Sequence, residues 1–341
     1  MKVNPVTEET FGKEFEDISS IISEHKKFLI LGHIDPDGDC IGSMLAFAQY
    51  LSDIGKEVAC FAPGQAAEGF FRLPKAELFI TEEELKDCAP DVIFALDTPT
   101  PARTADLMQP GENHIIVNID HHPTNRRYGN VNVVDERAAA TAVLVFRFLS
   151  AVDRKFITAD VANCLYLGIL LDTGGFRFQN TNAEALYTAA ELVEFGADPH
   201  SLAHEFIYVK YFRTLKLLAS VLGSLTLHCG GKVAFMEVSM EMLERNGGSM
   251  RDTEGFVDYA AAVDDVELSA FFREMGPAEV RVSLRSRNNH DVALLAEKYG
   301  GGGHRKAAGL TINRDLESSK DLIIKDLENL LAGNDHPCSP Q

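Results

Sequence analysis

Phe28-Leu29-Ile30-Leu31-Gly32-His33-Ile34-Asp35-Pro36-Asp37-Gly38-Asp39 runs from an unbroken apolar block into a cluster of acids. Four consecutive apolar residues, Phe28 to Leu31, read as a short strand covered on both faces. Beyond the acids, Ile41, Met44, Leu45, Ala48 and Leu51 recur at helical spacing, and Gly55 stands just past the end of that pattern. Strand, polar turn and helix in this order open a parallel sheet, because parallel neighbours need a crossover connection.

The pattern repeats outward from there. Residues 57–61, 92–96 and 115–119 are further apolar runs, and helical patterns follow near 138–152, 159–171 and 183–196. The expected fold is α/β, an open parallel sheet with helices on both faces. Residues 10–197 form this first domain. Residues 198–230 read as a helical connector. Residues 231–333 restart as a smaller mixed α/β domain: a strand at 232–238, a helix near 253–263, strands at 266–273 and 279–286, and helices at 291–299 and 316–332. The tail from Gly333 to Gln341 reads as frayed.

At 341 residues and 45% hydrophobic, the chain has material for two cores. Its net charge of −19 should repel long polyanions, which argues against a coat for long nucleic acid. The six cysteines are scattered without a C-x-x-C pair, as expected for reduced thiols in a cytoplasm. No apolar run approaches the roughly 20 residues of a membrane helix, and the start carries no signal-peptide core. A cytoplasmic protein without membrane attachment is expected; its oligomeric state is not legible.

Polar clusters stand where the expected strands stop: His33 to Asp39 after the first, Asp97 after the third, and Asp120-His121-His122 after the fourth. Asp172 closes the apolar helical run from Leu165. In open parallel sheets the carboxyl ends of the strands line the ligand crevice, so these clusters should converge. Singly, each has a plainer reading: His33 or Asp37 could cap the following helix, with Asp39 the best placed to do so, and Asp97 could be a turn residue. Together they crowd carboxylates on one rim, which is costly unless cations neutralise them. Mixed imidazole and carboxylate donors suit manganese first, with magnesium, iron or cobalt as other fits. No thiol reads as placed to bind, which argues against structural zinc. Neither a G-x-S-x-G elbow nor a G-x-x-x-x-G-K-[ST] loop is present.

The second domain carries Gly300-Gly301-Gly302-Gly303-His304-Arg305-Lys306. Such a run lets backbone amides approach an anion, particularly where a helix or turn starts near His304. Upstream, Arg281, Ser283 and Arg285 alternate with Val280, Val282 and Leu284, which puts the polar three on one strand face. Six basic residues against two acidic ones lie between Arg281 and Lys306. The bland reading is a solvated strand face; the functional reading is a grip on phosphate.

The ordered set resembles the DHH–DHHA1 phosphoesterases. The resemblance rests on His33…Asp37-Gly38-Asp39 with Gly42-Ser43, Asp97 with Arg103, Asp120-His121-His122-Pro123, Gly168 to Gly174, and Gly301-Gly302-Gly303-His304. It implies two divalent ions, one held by His33, Asp37 and Asp97, the other by Asp39, Asp97, His121 and Asp172. It gives Asp97, Asp120, His121 and His122 to catalysis, with Asp120 orienting the histidines and His122 contacting phosphate. It gives His304, Arg285 and the backbone of Gly302 and Gly303 to the substrate, and the strand-face reading adds Arg281 and Ser283. Length points to the nano-RNase A-like branch, whose substrates are short RNAs and 3′-phosphoadenosine 5′-phosphate. Two other readings stay open: a cyclic- or linear-dinucleotide phosphodiesterase, and a non-catalytic nucleotide sensor.

Overall fold

The protein is described as a computed structural model covering residues 11–64, 66, 68–105, 107, 114–288 and 290–332. The sequence-read tail from Gly333, and the expected domain limits at residues 10 and 333, lie outside the described residues. The chain divides into two units, one up to Val209 and one from Lys210.

The first unit runs α1 (Gly12–Glu24), β1 (Lys27–Leu31), α2 (Gly38–Asp53), β2 (Glu57–Phe61), α3 (Glu82–Asp87), β3 (Val92–Leu96), β4 (Ile115–Asp120), β5 (Val131–Val134), α4 (Thr141–Val152), α5 (Ala159–Asp172), α6 (Ala183–Glu194) and α7 (Pro199–Ala203). Its five strands are all parallel, in the order β2-β1-β3-β4-β5. The chain leaves β1 for β2 on one side and returns to β3 on the other. That reversal opens a crevice between the ends of β1 and β3.

Both faces of the sheet are buried, as the apolar runs require. Phe28, Ile30, Phe94 and Leu96 face a core shared with α2, α4 and α5, where the Phe47 ring lies 4.6 Å from that of Phe94. Leu29, Leu31, Ile93 and Ala95 face the opposite side, covered by Leu85 of α3 and by loop residues such as Tyr128. Helices α2 and α5 cross so closely that a Cβ on Gly42 would stand 2.3 Å from the carbonyl oxygen of Cys164.

The second unit runs α8 (Phe212–Leu222), β6 (Thr226–His228), β7 (Val233–Val238), α9 (Met240–Asn246), α10 (Val257–Ala261), β8 (Leu268–Gly276), β9 (Glu279–Ser286), α11 (Val292–Glu297), β10 (Gly302–His304), β11 (Ala307–Ile312) and α12 (Leu316–Ala332). Its six strands follow the order β10-β11-β9-β8-β7-β6, with β7 and β8 parallel and the other pairs antiparallel. One face packs against α11 and α12, the other against α8, α9 and α10. The expected helical connector 198–230 is broken: after α7 comes a π-helical turn at His204–Tyr208, and Thr226–His228 leaves the helical pattern to pair with β7. Among the described residues, no helix is long and apolar enough to cross a membrane.

Candidate active site

Strand ends deliver the acid and histidine clusters of the first unit to one place. His33 follows β1, Asp97 follows β3, His121 follows β4, and Asp172 ends α5. Oδ2 of Asp97 lies 3.4 Å from Nε2 of His33, and Oδ1 lies 3.6 Å from Nε2 of His121. Nε2 of His121 is also 3.7 Å from Asp172 Oδ2 and 3.9 Å from Asp39 Oδ2. Asp37 stands at the rim, its Oδ1 3.8 Å from Nε2 of His33. These separations exceed those of direct hydrogen bonds. They suit donors arranged around a common ion, with bonds of about 2.0–2.2 Å.

Two carboxylates of the cluster, Asp39 and Asp97, are buried. Burial, and then the charge of Asp97, push Asp39 well above the usual carboxylate range. Burial likewise raises Asp172 to about 6, with Asp97 adding to it and His121 opposing. The imidazoles respond in the other sense. Burial pulls His33 down, but Asp37 and Asp97 outweigh it and raise it to about 10. Burial also opposes His121, which Asp39, Asp97 and Asp172 carry up to about 9. The pocket thus draws protons because it holds surplus negative charge, and a cation satisfies the same demand. Among the described residues, three sets of donors lie within 4.8 Å of one another: Asp39-His121-Asp172, Asp97-His121-His122 and His33-Cys40-Asp97. The residues present fit a metal centre.

The surroundings fix these donors. Asp97 has φ of 55°, a left-handed conformation that few side chains other than Asn or Asp adopt readily. Such backbone strain persists where neighbours over-determine it. Here the Asp97 N–H donates to Ile119 at 3.0 Å, and the Thr141 hydroxyl donates to Asp97 Oδ1 at 3.0 Å. Asp39 accepts from the backbone N–H groups of Thr141 and Ala142 at the start of α4, at 2.6 and 2.9 Å. A Cβ on Gly168 would stand 2.8 Å from Asp39 Oδ1, so glycine leaves room for that carboxylate. Asp120 is fully buried and holds Nδ1 of His122 at 2.8 Å.

Two sequence expectations are corrected here. The cap of α2 is Asp37, which accepts from the N–H groups of Asp39 and Cys40; Asp39 sits inside the first turn and points to α4 instead. A thiol does stand at the centre. Cys40 falls in that same first turn, and the helix start brings its sulfur near His33 and Asp97. Burial raises its pKa well above the ordinary thiol value, and the Asp97 charge adds to this.

In the second unit, strand register gathers the expected phosphate residues on one face. Ala307 pairs with both His304 and Arg285, and Gly309 pairs with both Gly302 and Ser283. Directly paired residues point the same way, so His304, Arg285, Ser283 and Arg281 share a face. His304 ends a strand, not a helix, and a two-residue turn follows it. The glycines serve the pairing itself: Gly303 has φ of 146°, and a Cβ there would stand 2.5 Å from the carbonyl oxygen of Ala307. Arg285 is engaged by Asp258 at 3.0 Å.

The DHH family, N-terminal domain, matches residues 27–169, and the DHHA1 domain matches residues 230–333. A Thermus thermophilus protein named bifunctional oligoribonuclease and PAP phosphatase NrnA is 35% identical over 300 residues, covering 87% of each chain. The chain belongs to the DHH–DHHA1 family. A Bacillus subtilis protein of the same name is 27% identical, covering 91% of this chain and 96% of its own. An exopolyphosphatase-related protein from Bacteroides fragilis shares the fold, with a TM-score of 0.88 at 24% identity over 93% of this chain and 96% of its own.

Several residues of this DHH–DHHA1 protein that hold the site were not singled out from sequence. Asn180 donates its amide to Asp172 Oδ2 at 3.2 Å and to the Ala139 carbonyl at 3.0 Å. Asn118 and Tyr128 both donate to the Thr98 carbonyl, at 3.1 and 2.9 Å, which fixes the loop behind Asp97. Arg273 is the clearest omission. It pairs with Arg281 across β8 and β9, and it donates to the Ser283 hydroxyl at 2.9 Å. Burial, then Arg281 and Arg285, lower its pKa. No local sequence pattern signals this, because strand register joins Arg273 to the basic row.

Proposed function

We propose that the chain is a metal-dependent phosphoesterase that hydrolyses short oligoribonucleotides and 3′-phosphoadenosine 5′-phosphate to mononucleotides. The observation that carries this reading is the buried Asp97 carboxylate, which offers one oxygen to the His33 side of the pocket and the other to the His121 side. The names of the Thermus and Bacillus relatives supply the substrate class.

His33, Asp37, Asp39, Asp97, His121 and Asp172 would hold two divalent ions, manganese first. Such a pair supplies a nucleophile from water at neutral pH and offsets charge at phosphorus. The chain's own residues do the remainder. Asp120 accepts from Nδ1–H of His122 and favours the protonated ring, so that Nε2–H donates to a phosphate oxygen. Arg281, Ser283, Arg285 and His304, with the Gly302–Gly303 backbone, grip a second phosphate and select short substrates. Arg273 reinforces that grip from beneath. We assign catalysis to residues 10–197, the substrate grip to 231–333 and the connection to 198–230. The compartment we assign is the cytoplasm, where the free cysteines Cys40, Cys60, Cys88, Cys164 and Cys229 stay reduced.

The test is an assay with Mn²⁺ and three substrates: a linear dinucleotide, a cyclic dinucleotide and 3′-phosphoadenosine 5′-phosphate. Mononucleotide should be released from the first and third, and release should vanish in His121→Ala. Binding of all three without turnover would make the chain a sensor and end the enzymatic reading.

A further inference from the structure

On the β2 side of the first unit lies a cavity of about 310 Å³. The sheet order explains its position. Leu31 and Phe61 are register partners at the ends of β1 and β2, so the loop after β2 must stand beside the ligand loop after β1. Backbone bonds tie the two loops together: Gly32 N–H donates to Phe61, and Asp35 N–H to Pro63, at 3.0 and 2.9 Å. The walls include Pro36, which directly precedes Asp37, together with Phe61, Phe70, Phe71, Phe79 and Thr81.

The lining decides what fits. It is mostly aromatic and aliphatic, with Thr81 and Glu82 as its polar members, so it rejects a bare phosphate and accepts a flat, uncharged group. The volume is at the low end of the roughly 300–1,000 Å³ range of ligand sites, which suits one ring system and not a whole dinucleotide. Phe70 is already committed, buried and stacked on Phe206 with ring centroids 5.4 Å apart and planes 14° apart. Its neighbour Phe71 is 58% exposed, an apolar ring without such a stacking partner among the described residues. Glu82 places a carboxylate at the lining, able to accept from an amino group on the ring edge.

We propose that this cavity is a nucleobase subsite in which Phe71 is the stacking ring. It rests on the phosphoesterase reading, since a base tethered to a scissile phosphate at the metal centre is what would reach it. The sequence preference it confers is weak, because every base has a face to stack.

The test is a titration with a dinucleotide that carries 2-aminopurine and a methylene in place of the bridging oxygen, with Mn²⁺ present. Fluorescence should be quenched on binding. Phe71→Ala should weaken binding about tenfold and relieve the quench, and Phe71→Trp should restore affinity. Equal affinity and equal quench in Phe71→Ala and the unaltered protein would overturn the subsite, as would no quench in either. Hydrolysis of the ordinary dinucleotide is followed separately. If quench and affinity depend on Phe71 while no hydrolysis occurs, the phosphoesterase reading fails and the subsite stands.

Discussion

Asp97 turns its Oδ2 toward Nε2 of His33 at 3.4 Å, although the two residues leave different strands of the sheet. Its left-handed backbone limits what can replace it. Asn tolerates that conformation, so Asp97→Asn should fold and yet lose a charge shared by both sides of the pocket. Turnover of a dinucleotide with Mn²⁺ should fall by more than about 100-fold, beyond the 10–100-fold typical of residues behind a ligand. Far-UV circular dichroism should be unchanged. The unaltered protein should gain about 2.7 kcal/mol of stability when Mn²⁺ is at 100 times its dissociation constant. Asp97→Asn should show no such gain, read as a thermal shift.

Thr141 tests the support behind the donors. Its hydroxyl reaches Asp97 Oδ1 at 3.0 Å, and its N–H reaches Asp39. Thr141→Val keeps the N–H and the shape but removes the hydroxyl. Manganese affinity should drop about 10–100-fold, measured by calorimetric titration, with little change in the unfolding midpoint of the chelator-treated protein.

A buried ion network braces the loop before α4. Arg147 forks onto Glu184 with two contacts of 2.6 Å and reaches Asp135 at 3.0 Å. Arg147→Met leaves the largely buried Glu184 without its cation, while Asp135 keeps Arg137 at 3.0 Å, and should cost about 3–5 kcal/mol in urea denaturation. The exposed Lys27–Glu57 pair at 3.8 Å is the control. Glu57→Gln should change stability by less than about 1 kcal/mol.

The second unit should show its own acid sensitivity. Hydrogen bonds from His290, Asn288 and Lys232 lower Glu267 from 4.5 to about 2. The folded value lies below the unfolded one, so the ionised group contributes fully above pH 4.5 and progressively less as pH falls toward 2. Urea midpoints measured between those limits should fall less steeply in Glu267→Gln than in the unaltered chain. Equal slopes would mean that Glu267 is not linked to folding.

How much of this was readable in advance follows from what each element is made of. Strands β1, β3 and β4 are buried on both sides and announce themselves as apolar runs. Strand β5, Val131-Asn132-Val133-Val134, escaped because it is short and interrupted by a polar residue. Strand β11 begins Ala307-Ala308-Gly309, residues of low strand preference that pair only because β9 is there to receive them. The convergence of the first unit's acids and histidines was legible because they sit at or just past the ends of strands and helices, where topology brings them together. What lies around them was not: the turn of Asp39 toward α4, the sulfur of Cys40 and the placement of Arg273 depend on packing and register, which no local pattern records.

The bond from Thr141 to Asp39 spans 102 positions of the chain. A polypeptide emerging from the ribosome therefore exposes its acids long before it can arrange them. Until α4 has been synthesised and docked, those carboxylates are loose charges that hold cations weakly. On the proposed metal-dependent reading, capture of metal reports that α4 has docked, and a truncated nascent product ending before residue 141 lacks that pocket however well its first strands pair.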